Sequence, residues 1–188
     1  IVTGVQTCAL PICVYVAYET TATVNGGAIV TGQQVEMVKF QTTLTPSNTL
    51  ASYSRQWVLS QNGTIQTTPP GTSSAPSVTF DGTNVYIAFL TTGSVDGNYP
   101  TGSAHDLVVA QITPTGYTPW IQQGNQFNRT PYIYFDAALP YITADYNLAA
   151  NDVPNILVSL QTYTAAPQEG DSSIFIFKMS SEIGRAHV

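Results

Sequence analysis

The 188-residue sequence predicts an all-β fold of short antiparallel strands, and three observations carry that expectation. Thr, Tyr, Val, Ile and Phe are plentiful, whereas helix-forming runs are scarce. Gly, Pro, Asn and Ser break the chain at intervals of roughly ten residues, the punctuation of strands joined by turns. Most telling is a repeat: VYVAYETT at 14–21, VYIAFLTT at 85–92 and ILVSLQTY at 156–163 recur at a spacing of 71 residues.

Further series keep step with the first. VEMVKF at 35–40, DLVVAQI at 106–112 and SIFIFKM at 173–179 follow it, and RQWVLSQNG at 55–63 and TPWIQQGNQ at 118–126 each carry a Trp. PSVTFDGTN at 76–84 and PYITADYN at 140–147 precede it. Each unit thus reads as a Pro-led strand, an apolar strand, a long Gly/Asn/Pro loop, a second apolar strand, a turn and a Trp strand. Four short strands per unit make a propeller blade, so the predicted architecture is a partial β-propeller of about two and a half four-stranded antiparallel blades. An ordinary antiparallel sandwich has similar strands and turns, but its strands do not usually recur with Pro, Trp and Thr-Thr at fixed offsets.

The details within a unit agree. In VYIAF, Tyr86 and Ala88 fall on one face and Val85, Ile87 and Phe89 on the other, the period of two that a sheet buried on both sides requires. DGTN at 81–84 and TPTGY at 113–117 supply hairpin turn chemistry. No amphipathic helix stands out: Asp136 to Ala150 contains alanines, but Pro140 and the YIT core predict turn, strand, turn.

The run PSVTFDGTNVYIAFLTTGSVDGNYPTGSAHDLVVAQITPTGYTPW, followed by QFN, resembles the β-propeller repeats of the SBBP type. Those repeats combine a Pro-led strand, an Asp and Gly-Asn turn, a hydrophobic-Tyr-hydrophobic strand, a Gly-rich loop, an Asp-led apolar strand and a terminal Gly and Trp. The resemblance covers nearly all of 14–181 and implies a repeat scaffold. Gln111 stands where such repeats carry Lys, and the loop before VEMVKF lacks a counterpart of Asp106.

The two ends read differently. Ile1 to Cys13 has no basic residue, and Gln6, Thr7 and Pro11 interrupt its apolar run, so it does not read as a secretory signal. Written as ATC GGA AGA GCA CAC GTC with TGA as the next codon, the tail Ile183 to Val188 has a reverse complement that encodes Gln6 to Pro11 in another frame and supplies the first two bases of the Ile12 codon. Such a relation is expected of a DNA fragment joined between copies of one sequencing adapter. The reading therefore assigns 1–13 and 182–188 to adapter-derived sequence and 14–181 to the propeller fragment. Blade one (14–63) lacks its first strand, blade two spans 76–126, and blade three (140–181) lacks its last strand. On this reading the chain is an interior excerpt, its unpaired blade faces favour aggregation, and Cys8 and Cys13 support neither a disulfide framework nor a metal site.

Composition narrows the partners. The net charge is −6, and outside the assigned ends the bases are Lys39, Arg55, Arg129 and Lys178, too few to neutralise a run of phosphates. Nucleic acid is therefore not an expected partner, and no apolar run reaches the ~18 residues of a membrane span. The expected partners are the remaining blades of the same parent chain and a protein or carbohydrate ligand of unknown identity. The setting is expected to be extracellular or at a cell or virion surface.

No residue pattern points to catalysis, a cofactor or a metal. His105 precedes Asp106 and reads as a loop residue entering a strand rather than part of a triad. Asp81, Asp96 and Asp145 read as Asx turns, each with too few neighbouring oxygens for a calcium loop. Trp57 and Trp120 read as inter-blade core, and Tyr132, Tyr134 and Phe135 as a packed connector. Asn62 and Asn128 match the glycosylation pattern, as chance matches would in so Asn- and Thr-rich a chain. What varies between units is the loops, above all 93–105 and 164–172, so Asp96, Asn98, Tyr99 and His105 form the candidate binding surface. The expected function is a non-enzymatic scaffold presenting these loops. The alternative is a fragment of a sialidase- or glycosidase-like propeller hydrolase.

Overall fold

In the computed structural model every described element is a strand. The structure describes residues 2–7, 13–21, 33–44, 50–58, 72–93, 105–123, 133–134, 139–145, 155–164, 172–180 and 186–187. Strands β1 (Val2–Thr7), β2 (Cys13–Thr20), β3 (Gln34–Leu44) and β4 (Leu50–Val58) form the first sheet in that order. β5 (Ser73–Phe80), β6 (Val85–Thr91), β7 (Asp106–Ile112) and β8 (Trp120–Gln123) form the second. In the third, β10 (Tyr141–Asp145), β11 (Asn155–Thr164), β12 (Ser172–Ser180) and β13 (Ala186–His187) run in sequence, and β9 (Ile133–Tyr134) also pairs with β11. Every pairing is antiparallel. The three repeated apolar segments are β2, β6 and β11, the second strand of each sheet's path.

The middle sheet is covered on both faces, and the alternation along its strands decides which side chain goes where. Tyr15, Ala17, Val35 and Met37 of the first sheet pack against Val78, Val85, Ile87, Phe89, Val108, Ala110 and Ile112 of the second. On the other side Tyr86, Ala88, Leu90, Leu107 and Val109 meet Ile142, Ala144, Ile156, Val158, Leu160 and Met179 of the third. Every residue of β6 is buried. Each large aliphatic side chain so buried contributes about 1.5–3 kcal/mol, so the two joints supply the main apolar stabilisation of the described residues. Both have the same sense. The Tyr/Ala face of one sheet meets the branched-apolar face of the next.

Polar contacts set the spacing of the joints. Ser77 Oγ and Thr79 Oγ1, on the third-sheet side of β5, accept the backbone N–H groups of Ile142 at 3.2 Å and Ala144 at 3.0 Å. Lys39 Nζ crosses from the first sheet to donate to the Pro114 carbonyl of the second at 2.7 Å, 5.8 Å from the Tyr15 ring centroid. Tyr15 in turn stacks on Phe80, with centroids 6.2 Å apart.

Both predicted turns close hairpins. Asp81 Oδ1 accepts from Thr83 N at 2.8 Å and Asn84 N at 2.7 Å, the Asx geometry that leaves Gly82 at a φ of 96°. In TPTGY, Gly116 N donates to the Thr113 carbonyl at 2.9 Å, with Gly116 at a φ of 86°. Trp120 is half-buried and packs against the core between the second and third sheets.

Some boundaries differ from expectation. The second sheet's first strand begins at Ser73, before Pro76, because a bulge between Ser74 and Ser77 takes in Ala75 and Pro76. A bulge is where a strand can hold a residue without an N–H. β3 runs four residues beyond VEMVKF, to Leu44, which draws the fourth strand back to Leu50–Val58. Val2–Thr7 pairs with β2 at the first-strand place that the sequence reading leaves empty, and Ala186–His187 pairs with β12 at the fourth. An extended stretch such as VTGVQT can hydrogen-bond an open edge through its backbone whatever its origin.

Candidate functional site

At one end of the sheets the ends of β2 and β6 and the starts of β3, β5 and β7 come together. Ser73 N donates to the Gln33 carbonyl at 2.7 Å, and Thr92 N to the Thr72 carbonyl at 2.9 Å. Between these strand ends lies a cleft of about 220 Å³ lined by Glu19, Gln33, Ser74, Ala75, Leu90, His105 and Leu139. A second depression of about 340 Å³ adjoins it over Glu19, Thr20, Thr21 and Gln33.

Glu19 organises the cleft. Its Oε1 accepts the Ala75 N–H at 2.6 Å, and its Oε2 accepts from the Gln33 side-chain amide. One carboxylate therefore ties β2 and the residue that leads into β3 to the bulge of the next sheet. Ala75 has a φ of 55°, a left-handed conformation that costs a non-glycine residue about 1–2 kcal/mol. The bond from Glu19 and the bulge hold it there.

The neighbouring loop base is built from buried polar groups. Gln123, fully buried, donates through Nε2 to the Gly93 carbonyl at 2.8 Å and to Asp106 Oδ2 at 3.1 Å. Burial pushes the Asp106 carboxyl above its ordinary value, and the Gln123 bond pulls it part of the way back. Thr91 Oγ1 accepts from Gly93 N at 3.0 Å and from Ser73 Oγ at 3.1 Å. Gly93 and Asp106 are thereby held together through Gln123.

Other carboxylates are occupied as well. Asp81 Oδ2 accepts from the Tyr86 phenol at 2.6 Å, and Glu36 Oε2 from the Tyr18 phenol at 2.6 Å. Burial first, then the Glu36 bond, pushes the Tyr18 phenol well above its ordinary range, while Arg55 acts in the opposite direction. Among the described residues, no three His, Cys, Asp or Glu side chains gather to hold a metal ion. Nor does any described helix have the length and apolarity to cross a membrane.

Of the sequence-derived candidates, His105 is half-buried and lines the cleft. Asp96, Asn98, Tyr99, Asn62 and Asn128 lie outside the described residues, as do Tyr132 and Phe135. Glu19, Gln33 and Ala75 were not singled out from sequence. Within the repeat Glu19 occupies the place of Leu90 and Gln161 and is the acidic residue of the three, a difference visible only once the units are aligned. Glu19 and Leu90 line the same cleft.

No protein-family model matches the chain, and no curated protein matches it.

Proposed function

We propose that this chain is a segment of a β-propeller of the SBBP type, acting as a non-enzymatic scaffold that presents a binding surface at the cleft end of its sheets. The observation that carries this reading is the middle sheet, buried on both faces through two joints of the same sense. Radial stacking requires that repetition, whereas a two-layer sandwich buries one face of each sheet. The cleft favours binding over hydrolysis. Glu19, the one carboxylate among the described residues that line it, is engaged by a backbone N–H and an amide, and glycoside hydrolysis needs two carboxyl groups facing each other across a cleft.

The ligand class that fits is a polar one, a saccharide or a peptide segment, met by Gln33, Ser74 and His105 beside Leu90 and Leu139. A glycan array and a peptide array probed with the chain, and with a variant whose residues 94–104 are replaced by a Gly-Ser linker, test this. The scaffold reading expects binding to fall in the variant while the unfolding transition stays in place. Turnover of an aryl glycoside that disappears in Glu19→Gln would replace the scaffold with the hydrolase.

A further inference from the structure

We propose that the cleft takes the guanidinium of an arginine side chain presented by a peptide segment, with Glu19 as its counter-ion. This rests on the binding reading of the cleft above and narrows its ligand to one chemistry. The two donors that reach the Glu19 carboxylate, the Ala75 N–H and the Gln33 side-chain amide, are both neutral, so they orient its charge without cancelling it. Among the described residues no lysine or arginine lines the cleft. Lys39 pairs with Tyr15, four residues from Glu19 along β2, or about 13 Å of strand. Its ammonium donates to the Pro114 carbonyl, beyond the end of β7 that lies away from the cleft. Arg55 lies further along still, opposite Phe40. Charges separated by more than about 8 Å at physiological salt are largely screened, so the cation must come with the ligand.

The donor count and the size of the site select a guanidinium. Each carboxylate oxygen has two lone pairs and one on each is occupied, which leaves one acceptor per oxygen for the two parallel donors of a guanidinium fork. An ammonium is a point charge and makes less use of paired acceptors. Because the carboxylate is already held by two bonds, binding does not have to order it. At about 220 Å³ the cleft is smaller than the roughly 300–1,000 Å³ of sites that enclose a whole small molecule, so it takes one side chain. Leu90 and Leu139 line it too, and Leu139, 77% exposed, offers apolar surface to the methylene stem. The adjoining depression over Thr20, Thr21 and Gln33 receives the main chain beside that arginine.

The test titrates the full chain with a blocked Gly-Gly-Arg-Gly-Gly peptide and its citrulline and lysine counterparts, followed by ligand-observed NMR. Citrulline keeps the length of arginine and loses its charge. The expected result is that the arginine peptide binds about tenfold or more tightly than the citrulline peptide, with lysine between them. Its binding should weaken as sodium chloride rises from about 0.05 to about 0.5 M. Glu19→Gln should bring the arginine peptide down to the citrulline level. Ser74→Lys, which keeps both Glu19 bonds and places a base inside the cleft, should do the same without touching the carboxylate. Equal binding of the arginine and citrulline peptides overturns the inference, as does arginine binding that survives Ser74→Lys. A saccharide that Ser74→Lys displaces, with no preference for arginine, would also overturn it while leaving the scaffold reading in place. Failure of the scaffold reading itself would show instead as turnover lost in Glu19→Gln.

Discussion

The Tyr86 phenol donates to Asp81 Oδ2 at 2.6 Å while its oxygen accepts from Gln111 Nε2 at 3.0 Å. A fully buried tyrosine on the second strand thus anchors the turn that leads into that strand. Hydrogen bonds to a charged group are worth about 1.5–3 kcal/mol, and Tyr86→Phe also leaves the buried Gln111 amide without this acceptor. Urea unfolding should show a loss of roughly 2–3 kcal/mol. Asp81→Ala should cost more, because two backbone N–H groups of the turn lose their acceptor as well. Equal stability of Tyr86→Phe and the parent chain would show that this relay carries no energy.

Ile87→Ala should destabilise by about 2–5 kcal/mol, since the side chain is fully buried between the first two sheets and its removal leaves a cavity. Ile176→Ala, at a site 67% exposed, should cost well under half as much in the same assay. A reversal of that order would place the apolar core elsewhere.

Gly82→Ala isolates backbone strain from packing. Nothing lies within 4 Å of the position an added Cβ would take, so the whole penalty comes from the φ of 96°. Thermal unfolding should report a loss of about 1–2 kcal/mol, with the core spectrum unchanged.

Two part-buried groups give tests at the two ends of the pH scale. Tyr18 has its phenol pushed up by burial and Glu36, so the neutral form is favoured in the folded chain. Its contribution is complete below the unfolded value of about 10 and is lost as pH rises above that value. Tyr18→Phe should therefore flatten the alkaline limb of the stability curve. Asp106 is also pushed up, so its folded form favours the protonated state and its contribution fades as pH rises from below the unfolded value of about 3.9. Asp106→Asn keeps an oxygen for Gln123 and should be neutral or stabilising near pH 7. That advantage should vanish in acid, and an advantage that instead grows in acid would reverse the assignment.

How far the sequence could be read depended on whether a feature was periodic. VYVAYETT, VYIAFLTT and ILVSLQTY announce themselves by alternation and spacing, and each is the second strand of its sheet's path. The turn at Asp81 and Gly82 was legible because its chemistry is local. The bulge at Ala75 was not. A proline at 76 reads as the start of a strand, and the bond that stabilises Ala75 comes from Glu19, 56 residues earlier. The cleft was hidden for the same reason: Glu19, Ala75 and His105 come from three distant segments, and only His105 carried a local signal. Gln123, which looks like one more polar residue after a Trp strand, clamps a loop base only once β7 and β8 are paired.

The unlike faces of each sheet have a consequence for how such a chain can change length. A tandem duplication of one whole unit inherits a donor side and a receiver side already fitted to its neighbours, so growth by copying requires no new contact chemistry. An inverted or half-unit insertion would set like against like and break the series. Selection acting on the loops can therefore proceed while the number of units drifts.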